Sequence, residues 1–77
     1  MDYQDFEKWL IDTKKMQSRS AKDVKYRLKR VSTLVGTNII DENTLKALDD
    51  SKEFRECTSF VKSQLRRSVI LYSEFLG

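Results

Sequence analysis

The sequence predicts an all-α fold, a compact bundle of four to five helices, and three observations carry that expectation. The chain has no proline and only two glycines, Gly36 and Gly77, so the positive-φ residues that tight hairpins need are scarce and helices run uninterrupted. Apolar residues recur at intervals of three and four along most of the length, the period of one helix face. At 77 residues, 39% hydrophobic and 10% aromatic, the chain has material for one core, and residues 1 to 77 read as a single domain. A chain this short buries only ~60% of its unfolded surface.

The first helix is expected from about Asp2 to Asp12, with Tyr3, Phe6 and Leu10 on one stripe, Trp9 half-buried at its edge and Asp2 as cap. A basic connector, Lys14 to Arg19, follows. The second helix has the clearest start signal, because Ser20 precedes Asp23 by three residues, a near relative of the capping box. Its inward stripe is Ala21, Val24, Leu28, Val31 and Val35, and Gly36 ends it by taking the left-handed cap conformation.

Thr37 to Ile40 then form a loop whose isoleucines fold back onto the core. Asp41 offers a cap for a short third helix, about Glu42 to Asp50, with Leu45 and Leu48 inward. Ser51 to Cys57 either continue it or turn so as to bury Phe54. The last helix starts near Thr58 or Ser59 and runs to Leu76, with Val61, Leu65, Val69, Tyr72 and Leu76 inward and Ser68 and Phe75 flanking. No stretch of ~18 apolar residues spans a bilayer, and the acidic N-terminus does not match a secretory or mitochondrial leader. A soluble, intracellular protein is the expectation.

Charge is segregated by segment although the net value is only +3. Residues 14 to 36 carry eight cations against Asp23 alone, while residues 1 to 13 and 37 to 57 are each net acidic. Such asymmetry points to an anionic partner. On a helical wheel the second helix sets Lys22, Tyr26, Lys29 and Thr33 opposite its apolar stripe, with Lys25 and Arg30 flanking. A tyrosine among lysines either lies flat over their stems or presents its hydroxyl to a phosphate or a base edge. The last helix turns Lys62, Arg66 and Arg67 away from its apolar face, and arginine's planar fork suits phosphate. Lys14, Lys15, Gln17, Ser18 and Arg19 add donors beside the start of the second helix, where free N–H groups favour an anion. Ile70 falls opposite the core stripe and is expected to be an exposed hydrophobe.

With no histidine and a single cysteine, Cys57, the chain lacks the parts of a Cys/His zinc site, an internal disulfide or a Ser-His-Asp triad. Cys57 has no histidine to lower its pKa, and the pairs Asp49-Asp50 and Glu53-Glu56 read as solvated acidic faces. No cofactor or small-molecule substrate is implied, and the chain by itself is not expected to be an enzyme.

The order of motifs resembles a known family. Phe6, Trp9 and Leu10 form an F-x-x-W-L motif, a basic connector follows, and Ser20 to Val31 read S-x-x-D-V-x-x-R-L-x-R-V. An acidic short helix leads to Ser63-Gln64-Leu65-Arg66-Arg67-Ser68 and then to Leu71-Tyr72-Ser73-Glu74-Phe75-Leu76. Over nearly its whole length this resembles the N-terminal core-binding, SAM-like domain of tyrosine recombinases and phage integrases. The resemblance implies one half of a clamp around double-stranded DNA, with the second and fourth helices towards major grooves. It implies a DNA face of Lys22, Lys25, Tyr26, Lys29, Arg30, Lys62, Arg66 and Arg67, and the basic connector adds Lys15 and Arg19. The family's catalytic residues belong to a separate C-terminal domain, so the chain ending at Gly77 after a helix is compatible with a fragment of a longer recombinase, nucleoid-associated if bacterial or phage. The acidic first helix and the Asp41 to Glu56 stretch would have to face away from the DNA. The alternative expectation is a protein-interaction bundle whose basic face receives an acidic partner, with Ile70 and Trp9 as its apolar contact.

Overall fold

The second helix, α2 (Ser18–Val35), is the element on which the others are laid. A computed structural model describes residues 3–36, 40–41 and 43–77. Before α2 comes α1 (Gln4–Asp12), and after it α3 (Thr44–Asp49), the single-turn α4 (Lys52–Arg55) and the long α5 (Ser59–Leu76). One face of α2 receives α1, α3 and α5 together. The described residues form an all-α domain of five helices, three of them long, with no strand.

The apolar stripe of α2 explains its central place. Ala21, Val24, Leu28 and Val31 are buried, and Val35 is half-buried at the end of the helix. Gly36 closes α2 with φ 76, and its N–H donates to the Ser32 carbonyl. Phe6 and Leu10 of α1, Leu48 of α3, Phe54 of α4 and Leu65, Val69 and Tyr72 of α5 complete one contiguous core. Leu45 packs partly buried against it, and Ile40 is buried beyond α2. Near the C-terminal end of α5 the core becomes aromatic. Phe6 meets Tyr72 edge-on at 5.0 Å between centroids, and Trp9 and Phe75 close the cluster at 5.6 Å from each other. Burial there pushes the Tyr72 phenol above its ordinary value of 10.0, and the Tyr3 phenol adds to the same direction.

Several element boundaries differ from expectation, each for a local reason. Ser20 is not the cap of α2: Gln17 holds the extended backbone of that position, Ala21 N–H donates to its carbonyl, and Ser20 lies inside the first turn. The Ser20–Asp23 capping box is therefore not formed. The helix α1 begins at Gln4 behind Tyr3, which takes a left-handed φ of 58 with its ring buried in edge contact with Tyr72. Such a conformation costs a non-glycine residue roughly 1–3 kcal/mol, offset by the burial it permits. The expected cap Asp2, the loop residues 37–39 and Glu42 lie outside the described residues.

Asp41 does organise the start of α3, three residues ahead of Thr44. Its carboxylate accepts from the Asn43 N–H while its own N–H donates to the buried Thr44 hydroxyl. Between α3 and α5 the chain turns and makes α4, whose Ser51 cap accepts from Phe54 N–H and so seats the buried Phe54 ring. The helix α5 starts as expected, with Thr58 accepting from Val61 N–H.

Leu76 is 60% exposed and does not face inward. Towards its end α5 packs on α1 through Phe75, which shifts the covered side of the helix to Leu71 and Phe75 and leaves Leu76 over open solvent.

Candidate nucleic-acid interface

The outer side of α2 is where the sequence concentrates cations, and folding divides them into three groups. The first group comprises Arg19, Lys22, Tyr26, Lys29, Arg30 and Thr33, on the side of the helix opposite its buried stripe; all are exposed except the half-buried Lys29, and Arg30 also borders the groove between α2 and α5. Tyr26 is 57% exposed, and the ammonium groups of Lys25 and Lys29 stand 5.4 and 5.6 Å from its ring centroid. The ring thus lies among lysines and remains open to solvent. Arg19, Lys22, Lys29 and Arg30 have no ion pair among the described residues. From Arg19 to Arg30 the helix rises about 17 Å.

Lys25 belongs to a second group that points back at the protein. It pairs with the Glu7 carboxylate of α1, with its side chain 13% and that of Glu7 19% exposed. The first helix therefore does not keep its acids away from the basic helix. Glu7 and Asp12 share a cleft with Lys22 and Lys25 along the α1–α2 seam. Lys25 sits at the edge of the apolar stripe, so packing α1 there covers it. Lys14 is likewise committed, to Glu74 of α5 at 2.9 Å and over the Trp9 ring. Lys15, exposed, takes a left-handed φ of 58 in the connector.

The third group lies on the opposite flank. Arg27, at the other edge of the stripe, and Arg30 line a groove between α2 and α5 of about 390 Å³, with Tyr26, Phe60, Gln64 and Asp23 around it. A neighbouring cleft carries Arg27, Asp23 and Arg67. The Arg30 guanidinium also donates to the Cys57 sulfur at 3.8 Å, and the half-buried Cys57 thiol donates to the Glu53 carbonyl.

The cations of α5 do not form one wall with those of α2. Arg67 lies on the α2 side, but Lys62 and Arg66 turn to the other flank, over the Phe54 ring at 6.0 and 5.1 Å. Arg66 is further paired to Asp49 of α3 at 2.8 Å. The acidic stretch thus reaches the surface assigned to Arg66. The cause is geometric: Arg66 and Arg67 are adjacent, so they stand 100° apart on the helix and fall on opposite sides of its packing face.

Three groove residues escaped the sequence reading. Arg27 lies at the margin of the α2 stripe, and such a position reads as neither core nor surface until a neighbour is placed. Phe60, 69% exposed, passes for part of the α5 core until the wheel is drawn, which sets it about 140° from Leu65. Gln64 carries no charge to attract notice. Ile70 is exposed, as expected, and Trp9 is half-buried and stacked on Phe6. Among the described residues, no helix is long and apolar enough to cross a membrane. Nor does any group of three His, Cys, Asp or Glu there stand placed to hold a metal ion. No family model matches the sequence, no curated protein matches it, and no solved structure matches the fold.

Proposed function

We propose that the chain is a non-catalytic module that binds double-stranded DNA by laying the outer face of α2 along the phosphate backbone. One observation carries the reading: Arg19, Lys22, Lys29 and Arg30 are free of ion pairs among the described residues and surround an exposed Tyr26 on a single helix face. Asp23 is the only carboxylate in that helix. Cations set over about 17 Å match a row of phosphates, and the Tyr26 hydroxyl has a donor to spend on a phosphate oxygen or a base edge. Arg67 extends the face from α5. Lys25, Lys62 and Arg66 play no direct part, because their charges are buried, turned away or neutralised.

The motif resemblance supports reading this module as the core-binding arm of a tyrosine recombinase, with catalysis supplied by a separate domain. In that setting α2 carries the contact and α5 contributes through Arg67. The test is fluorescence anisotropy with a labelled duplex of arbitrary sequence across a salt series. Five contacts give a slope of about −4.5 in log affinity against log salt. A slope shallower than about −1, or no binding at low salt, refutes the proposal.

A second reading rests on Ile70 and Leu76, both exposed on α5. They suit an acidic protein partner with an apolar anchor, and such a partner would leave duplex binding absent.

A further inference from the structure

From the α2–α5 groove we infer that the module holds an unpaired nucleotide there, so that it prefers duplex DNA carrying a single-stranded tail over a blunt duplex. The inference rests on the duplex-binding reading above and extends it to a second kind of contact. Two aromatic rings, Tyr26 at 57% and Phe60 at 69% exposure, stand on opposite helices and line one depression. Leaving two large rings in water is unproductive for folding, whereas a base stacks on such a ring whatever its sequence. A volume of about 390 Å³ lies within the ~300–1,000 Å³ range of clefts that take small ligands.

The polar groups fit the rest of a nucleotide. Arg27 and Arg30 offer guanidinium forks to its phosphate, and Arg67 lies beyond them in the adjoining cleft. Gln64 brings an amide, and Asp23 an acceptor for the exocyclic amine of a base edge. Arginines outnumber the carboxylate two to one. An acidic peptide fits less well, since it brings no base to stack on the two exposed rings and the apolar floor is limited to Val61 and the nearly covered Leu65. By helical position Lys25 and Lys29 lie on the α1 side of Tyr26 and the groove on its α5 side. The ring can therefore join the duplex face and the groove together.

The experiment compares the full chain's affinity for a blunt duplex with that for the same duplex bearing a short single-stranded tail, in wild type, Phe60→Leu and Phe60→Trp. Phe60 has no part in the duplex face and is mostly exposed, so neither change should alter folding or blunt-duplex affinity. The expected result is tighter binding of the tailed probe by about 5- to 150-fold, the range of one stacked base, kept by Phe60→Trp and lost in Phe60→Leu. Equal affinity for both probes, or a preference untouched by Phe60→Leu, overturns the inference while leaving duplex binding intact. Displacement of the tail by a glutamate-rich peptide as readily as by excess single strand also overturns it, in favour of a protein ligand. Failure to bind either probe at low salt refutes the duplex reading itself.

Discussion

Two double substitutions that remove the same charge separate the cations without an ion pair among the described residues from the committed ones. Lys22→Gln with Lys29→Gln, and Lys25→Gln with Arg66→Gln, each lower the net charge from +3 to +1, starting from the value the sequence gives. Long-range attraction to a polyanion changes equally in both. What differs is placement: Lys22 and Lys29 have no ion pair among the described residues, whereas Lys25 is held by Glu7 and Arg66 by Asp49. Each phosphate contact adds about 0.9 to the salt slope, so losing two takes it from about −4.5 to about −2.7 and weakens binding about 60-fold at 0.1 M salt. The Lys25/Arg66 variant should move the slope by less than about 0.5, because those charges are already balanced within a Debye length of about 10 Å. Anisotropy titrations at four or so salt concentrations, with circular dichroism to confirm folding, decide it. Equal losses in the two variants, or a larger loss for Lys25/Arg66, would show that net charge or a different surface governs binding.

Other consequences concern stability. Leu28 is completely buried in the single core cluster, so Leu28→Ala should cost about 2–5 kcal/mol. A core of this size supplies only ~3–5 kcal/mol in all, and thermal melts should lose their cooperative transition. Thr58→Ala removes the cap on Val61 N–H and should cost about 1 kcal/mol in urea denaturation. Ser20→Ala should be neutral or slightly stabilising, because that serine sits within the helix and caps nothing. The raised Tyr72 pKa means that the folded chain holds the phenolic proton more tightly than the unfolded one. That stabilisation is whole below pH ~10 and is lost as pH rises through the folded value. Alkaline unfolding curves of Tyr72→Phe should accordingly be flatter than those of wild type above that pH.

Much of the architecture is legible in the sequence, because helix faces and caps are local. The stripe from Ala21 to Val31, the glycine stop at Gly36 and the Thr58 start each depend on residues within a turn or two of one another. The start of α2 departs from the local signal for the same reason. Gln17 has no side-chain cap bond, so nothing local marks it over Ser20. The candidate site was legible in part: a wheel finds Tyr26 on the outside of its helix, but it does not say what stands across from Arg27 or Lys25.

Composition and spacing by themselves determined that this chain is helical, that it builds one core, and that α2 turns a basic face outward. Only the tertiary structure decided which of those cations are left over. The acids that neutralise Lys25 and Arg66 come from α1 and α3, and the groove that joins Arg27 to Phe60 exists because α5 crosses α2 there. An angular position on one helix is fixed by its own sequence. The neighbour it meets is fixed by how several apolar stripes share a single core.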